Sequence, residues 1–339
     1  MKHSPSNLLI DRPSSKDVAR LAQVSQATVS RVLNHPEKVG PKTREKVYKA
    51  IKTLNYLPNQ SARDLVSGSS KIISLISGTL ENPFFVESTM WIVQYATQRG
   101  YKVNIYIIED GGIEESYRAA LATQPKGIIM SCILYEDPII KQLNALNIPF
   151  VSYNRRHQEK LNYVELDNYK AAAMGCELLY KKKYDSIFWV GGRLDVSTFR
   201  HRYEGFCKQY FHCYKEAPKK EYSYNPDAID FSILIPKIKE WYQTAPGKKA
   251  IFAATDAIAL EIMDYTKKTL DLQCPNDIGV LGIDNVKLSS HSYLDLTTIG
   301  PTENLGLTAI KLLIDNIEFQ KQHNINVTFP PQIFERGSL

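Results

Sequence analysis

Two textures of hydrophobic patterning divide the chain. In the first sixty residues apolar positions recur in short bursts at helical spacing. Val18, Leu21 and Ala22 fall at i, i+3 and i+4 and predict one apolar helix face, with Ser15 ahead as N-cap and Asp17 placed to favour the helix dipole. Val24 fills a tight turn, Ser25 is the natural cap of a second helix, and Val29, Val32 and Leu33 face inward along it. Gln26, Ala27, Ser30 and Arg31 are left facing outward. They are short side chains plus one arginine, a set that fits a DNA major groove. A third helix is predicted from Gly40-Pro41, because proline at the first helical position forfeits no hydrogen bond. Its buried stripe is Val47, Ala50, Ile51 and Leu54, and Tyr56-Leu57-Pro58 ends it. Three short helices bury little apolar surface, so this head is marginal in isolation.

From Lys71 short apolar runs alternate with amphipathic stretches. IISLIS (72–77), KVNIYII (102–108), GIIMSCI (127–133) and PFVSY (149–153) read as buried parallel strands, with helices over 86–99 and 114–123 between them. SIFWVGG (186–192), AIFAAT (250–255) and DIGVLGID (277–284) resume the rhythm. Such repetition predicts an α/β fold of doubly wound parallel sheets, and the length calls for two sheets. Ligands of these sheets bind beyond the carboxyl ends of the strands. That rule singles out residues 78–85, Asn154, residues 192–202, Asp256 and Asp284, a mixture of aromatics, amides, carboxylates and arginine suited to a polyol.

Charge sharpens the division. Residues 1–70 hold 12 Lys and Arg against 5 Asp and Glu, whereas residues 71–339 hold 30 against 31. The excess positive charge therefore sits on the head, as a polyanion-binding module requires. The five cysteines are odd in number and widely spaced, and Cys207 and Cys213 near His201 and His212 match no common zinc pattern. No metal or cofactor is expected. Gly191-Gly192 lacks the spacing of a dinucleotide loop, and no nucleophile elbow, phosphate loop or zinc-protease motif is present. His157, His201 and His291 are isolated in sequence, so an enzyme is not expected. No apolar run approaches the roughly 18 residues of a membrane span, and Leu8–Ile10 is too short for a secretory signal core. These features predict a cytoplasmic protein with a polar arm over residues 1–14.

Three head segments, KDVARLAQVSQATVSRVLN (16–34), KTREKVYKAIKTLNYLPN (42–59) and SARDL (61–65), resemble the DNA-binding head of the lac-repressor/galactose-repressor family of bacterial transcriptional regulators. Two departures stand out: Gln23 at a turn position where that family often has glycine or asparagine, and Gly40 in place of a serine. The body resembles the two-lobed, periplasmic-binding-protein-like core of the same family through NPFF (82–85), IPFVSYN (148–154), RHRYEGF (200–206), AATDAIALEIM (253–263), GVLGIDN (279–285) and LTTIGP (296–301).

The resemblance implies a helix-turn-helix domain over 15–58, a hinge helix and linker over 59–69, and an effector-binding and dimerisation core over 70–339. Within the core, lobe 1 would take about 70–168 and 301–329, and lobe 2 about 169–300 and 330–339. Gln26 and Ala27 would read bases and Arg31 would grip a guanine, while Ser25, Thr28, Ser30, Lys16 and Asn34 would serve phosphates or nearby bases. In the hinge, Leu65 would wedge between base pairs in the minor groove, with Asn59, Ala62 and Arg63 beside it. Arg202 and Asp284 would hold effector, joined by Phe84, Phe85, Asn154, Thr255 and Asp256. Asn154 stands where aspartate is common and Thr255 where asparagine is common, which bears on which ligand is bound.

The implied function is a repressor of carbohydrate-utilisation genes that binds a palindromic double-stranded operator as a homodimer under control of a sugar or sugar phosphate. Three alternatives stay open on sequence: a catabolite-type regulator answering to a phosphorylated carrier protein, a purine- or nucleoside-responsive regulator, and a transport-type sugar-binding protein.

Overall fold

Ser14, one residue earlier than the spacing suggested, starts the first helix, α1 (Ser15–Ala22). Its hydroxyl accepts from the Asp17 N–H, and the Asp17 carboxylate accepts from the Ser14 N–H at 2.9 Å, a reciprocal capping box. Ser15 is free to accept a side-chain bond from the next helix instead. The buried face of α1 is Val18, Ala19 and Ala22, and Leu21 is half exposed. At about 100° per residue Leu21 lies some 60° off Val18, and the small Ala19 replaces it against the neighbouring helices. Helices α2 (Gln26–Asn34) and α3 (Pro41–Thr53) contribute Val29, Val32, Val47 and Ala50 to the same thin core. Gln23 itself adopts the left-handed conformation that closes α1, at φ 54°. The departure from glycine is accommodated without rerouting the chain, at a cost of about 1 kcal/mol.

The computed structural model describes residues 13–57, 71–108, 112–319 and 325–339. Two units result, residues 1–70 and 71–339. The hinge positions Asn59, Ala62, Arg63 and Leu65 lie outside the described residues.

The second unit carries two six-stranded sheets. Lobe 1 has the order β11-β5-β4-β3-β1-β2, built from β1 (Ile72–Ser77), β2 (Lys102–Ile107), β3 (Gly127–Met130), β4 (Phe150–Tyr153), β5 (Tyr163–Leu166) and β11 (Asn326–Phe329), all parallel. Its helices are α4 (Pro83–Gln98), α5 (Ile113–Ala122), α6 (Ile139–Ala145) and α11 (Leu305–Phe319). Lobe 2 has the order β12-β10-β9-β8-β6-β7, built from β6 (Ser186–Val190), β7 (Ser223–Tyr224), β8 (Lys249–Ala253), β9 (Gly279–Ile283), β10 (Thr297–Gly300) and β12 (Gln332–Phe334). Here β12 alone runs antiparallel to its neighbour. Helices α7 (Asn168–Lys181), α8 (Ser197–Tyr214), α9 (Phe231–Thr244) and α10 (Asp256–Leu270) flank it.

The chain crosses between lobes three times, after β5, after β10 and between β11 and β12. Apolar layers cover both faces of each sheet, which explains why the central strands read as continuous hydrophobic runs. Gly205 lets α8 lie directly on α7, since a Cβ there would sit 2.1 Å from the Tyr169 carbonyl oxygen.

Candidate functional site

On α2 the polar positions form one outward face. Gln26, Ala27, Ser30, Arg31 and Asn34 are exposed, and Thr28 is half-buried beside them. Ser25 caps the helix by accepting the Thr28 N–H at 3.1 Å, and its hydroxyl also meets that of Thr28 at 2.9 Å. Gln26 donates to the Ser15 hydroxyl at 2.9 Å, so α1 holds the first outward side chain of α2 in a defined direction. Asn34 bonds Ser30 at 3.3 Å. Arg31 makes no ion pair among the described residues, which leaves its planar fork of donors free for a bidentate acceptor. Lys16 is exposed on α1, and Lys42, Lys46, Lys49 and Lys52 add exposed charge on α3.

In the second unit the strand ends of both sheets face a cleft of about 390 Å³, within the range of small-molecule sites, roughly 300–1,000 Å³. Gly78, Phe85, Ile108, Leu134 and Arg155 line it from lobe 1, and Arg193, Val196, Phe199, Asp227 and Ile229 from lobe 2. Gly78 is needed where it is, because a Cβ there would fall 2.5 Å from the Phe85 ring. Direct bonds tie the lobes along one edge of this cleft. The Tyr135 N–H donates to the Asp195 carbonyl at 3.0 Å, the Arg156 N–H to the Ser197 hydroxyl at 2.9 Å, and the Thr198 hydroxyl to the Asn154 carbonyl at 2.6 Å. The Arg200 guanidinium lies over the Tyr135 ring, 4.6 Å from its centre. Behind them Arg156 pairs with the buried Glu165 at 2.8 Å. Burial pushes the Glu165 carboxyl up to about 7 despite that arginine. Burial and the charges of Arg156 and Arg200 press His201 down to about 4, so it is neutral at pH 7.

The structure distributes the seven sequence-predicted effector residues over different jobs. Phe85 lines the cleft, whereas Phe84 and Asp284 line a smaller cavity of about 170 Å³ where the chain crosses between lobes. Arg202 is 1% exposed and spends its donors on Asn168 at 2.8 Å, on Asp284 at 2.8 Å and on the Ala254 carbonyl. Burial lifts Asp284 to about 7 against the pull of Arg202. Its backbone sits at φ 139°, followed by Asn285 at 54°, and Gly300 has no Cβ to collide with that bend. Strain of this kind persists only where surrounding structure enforces it. Asn154, at φ 66°, turns the chain after β4. Thr255 caps α10 by accepting the Ile258 N–H at 3.2 Å.

Asp256 departs furthest from the expectation of an effector contact. It is 0% exposed, accepts from the Val286 N–H at 3.0 Å, from the Ser289 hydroxyl at 2.7 Å and from the Thr298 hydroxyl, and lines neither cavity. In this structure it is a pin between α10 and the segments around β9 and β10. Arg155 and Asp227 are wall residues that lie outside the segments expected from the strand ends, whereas Phe199 lies within one of them. Arg155 adjoins Asn154, but Asp227 follows a two-residue strand that leaves no periodic signal.

Comparison with known proteins now bears on both sites. Residues 15–59 match the family of bacterial regulatory proteins named for LacI, and residues 70–336 match the periplasmic binding proteins and sugar-binding domain of the same family. The chain belongs to the LacI family of bacterial regulatory proteins. Among its relatives, the ribose operon repressor of Halalkalibacterium halodurans is 30% identical over 95% of this chain and 95% of its own. The transcriptional repressor PurR of Aliivibrio salmonicida is 28% identical over 96% of this chain and 98% of its own. The lac repressor dimer, solved with operator and the anti-inducer ONPF, superposes with a TM-score of 0.78 at 27% identity, covering 97% of this chain and 99% of that one. This LacI-family chain is thus a DNA-binding transcriptional regulator by descent, in a family of regulators rather than enzymes. No described helix is long and apolar enough to cross a membrane.

Proposed function

We propose that the protein represses carbohydrate-utilisation genes by gripping a palindromic operator as a homodimer, and that a sugar-like ligand in the inter-lobe cleft controls that grip. The observation that carries this reading is the pairing, in one chain, of an exposed α2 face bearing Gln26, Ala27 and Arg31, the last without an ion pair among the described residues, with a ligand-sized cleft walled by both lobes. Gln26 and Arg31 read base edges, Ala27 contacts a thymine methyl, and Ser25, Thr28, Ser30, Lys16 and Asn34 fix the head on the backbone. Leu65, with Asn59, Ala62 and Arg63, carries the minor-groove contact by analogy with the family.

Allosteric control needs a ligand with unequal affinity for two lobe arrangements. The bonds Tyr135–Asp195, Arg156–Ser197 and Thr198–Asn154 define one such arrangement, and a cleft occupant strengthens or breaks it. Arg202 and Asp284 stand at the crossover, where relative lobe motion is absorbed. The homodimer is supported by an exposed apolar set on α4, Val86, Met90 and Trp91, beside Leu288. Those elements are joined by the Lys287 N–H bond to Glu87 at 2.8 Å, and a contiguous apolar patch marks an interaction surface. Ligand control without turnover places the protein outside the enzymes, and its partner DNA places it in the bacterial cytoplasm.

The test is operator binding by the full chain with and without sugars. A sugar that shifts operator affinity at least about tenfold, a coupling of about 1.4 kcal/mol, supports the reading. Turnover of that sugar, or DNA binding blind to every ligand that binds the cleft, refutes it.

A further inference from the structure

Among the described residues, the cleft walls carry more positive than negative side chains. One arginine comes from each lobe, Arg155 from the segment after β4 and Arg193 from the segment after β6. Among the described residues, Asp227 is the only acidic one in the wall. Arg155 has a single hydrogen-bond acceptor among the described residues, the Cys132 carbonyl at 3.2 Å, so its guanidinium keeps most of its donors and a charge without a close carboxylate. Arg193 is forked onto the Asp195 carboxylate, with one N–H···O bond of 2.6 Å and a second beside it. Both arginines pull Asp195 below the ordinary carboxylate range, which places an anion already inside their joint field. Apart from Thr79 the remaining described wall is apolar, with Phe85 and Phe199 as its broad faces.

We infer that the ligand of this cleft carries a phosphate group, gripped by Arg155 and Arg193 from opposite lobes, with its uncharged body lying against Phe85 and Phe199. This rests on the reading of the cleft as the effector site. Guanidinium matches phosphate geometry with paired N–H donors and stays charged at any working pH. Arg193 exchanges Asp195 for the ligand oxygens, and Arg155 gains acceptors it lacks. An anion held by both lobes favours the arrangement that brings the two arginines together, which couples binding to the lobe angle.

The experiment is calorimetric titration of the full chain with ligand pairs that differ only in phosphate: glucose and glucose 6-phosphate, ribose and ribose 5-phosphate, guanosine and its 5′-monophosphate. The phosphorylated member of at least one pair binds tighter by about tenfold or more, the weight of one or two charge-assisted bonds. The winning pair tells whether the phosphate comes on a sugar or on a nucleotide. Arg155→Gln closes that gap, Arg155→Lys keeps part of it, and Asp227→Asn widens it by removing the opposing charge. Tighter binding of an unphosphorylated member, or a gap that survives Arg155→Gln, overturns the phosphate inference. If such a neutral ligand still changes operator affinity, ligand-controlled repression stands without it. Binding by no member of any pair overturns the inference too, and operator affinity that no other small molecule shifts then removes the effector reading as well.

Discussion

Replacing Asp256 by alanine separates a structural pin from an effector contact. The carboxylate accepts three bonds, from the Val286 N–H, the Ser289 hydroxyl and the Thr298 hydroxyl, and both hydroxyl residues are 0% exposed. Each buried donor left without a partner costs about 1–3 kcal/mol, so three donors give a gross loss of several kcal/mol. Two effects reduce it. Burial raises the Asp256 carboxyl above its ordinary range, so the native side chain already sits in an unfavourable site, and the freed hydroxyls rotate towards backbone carbonyls. A net loss of about 3 kcal/mol remains, which for a unit of this size lowers the melting temperature by about 6–12 °C. Asp256→Asn, which keeps one acceptor oxygen, loses about half as much. Calorimetric melting of the full chain, beside ligand titration, reads both quantities. A melting temperature unchanged within about 2 °C together with lost ligand binding would refute the pin and restore Asp256 as an effector contact.

Three further outcomes are expected. Arg31→Ala weakens operator binding by about 1–3 kcal/mol and relaxes base preference at one position per half-site, whereas Lys16→Ala lowers affinity for all sequences alike and flattens the salt dependence; anisotropy titrations on operator and scrambled duplexes distinguish the two, and equal losses on both duplexes for Arg31→Ala would remove it from base reading. Gln23→Gly relieves the left-handed strain at φ 54°, but glycine's freedom in the unfolded chain offsets part of it, leaving a gain under about 1 kcal/mol; amide exchange in α1 and α2 slows, and faster exchange would show that the Gln23 conformation is not strained. Glu165 holds its proton up to about pH 7 in the fold, against an ordinary value of 4.5. The folded state therefore binds more protons than the unfolded one in that window, and the carboxyl's contribution to stability falls as pH rises through it. Relative to Glu165→Gln, the wild type loses about 2–3 kcal/mol between pH 4.5 and pH 7 in urea unfolding, and parallel pH profiles would contradict the shift.

How far the sequence carried these conclusions depended on which signals had a period. Six of the seven long apolar runs lie on interior strands, because burial on both faces makes a parallel strand hydrophobic throughout; the seventh, expected to be buried, is the edge strand β2, whose residues are exposed or half-buried because only β1 pairs with it. The edge strands β7, β11 and β12 escaped, since two to four residues with half-buried faces leave no pattern. In the head, Val18, Ala22, Val29, Val32, Val47 and Ala50 were legible as core from spacing alone. The starting residue of α1 was not, because Ser14 and Ser15 are both plausible caps and only the position of Asp17 three residues after Ser14 decides between them. Arg202 and Asp284 were found together by resemblance and do pair, but spacing could not tell that they would satisfy each other inside the protein. Arg155 and Asp227 were hidden for a different reason: a cleft wall is assembled from loop residues of both lobes, and nothing in the local sequence marks which loop side chains face one another.

The central claim is that α2 reads a palindromic DNA sequence for a two-fold symmetric dimer. Selection of bound duplexes from a random-sequence library by the full chain, followed by sequencing, tests it most directly. The account predicts enrichment of one inverted repeat with half-sites about ten base pairs apart, bound at least about a thousandfold more tightly than random duplex and lost in Arg31→Ala. Enrichment of no sequence, or of an asymmetric site indifferent to Arg31, would contradict it.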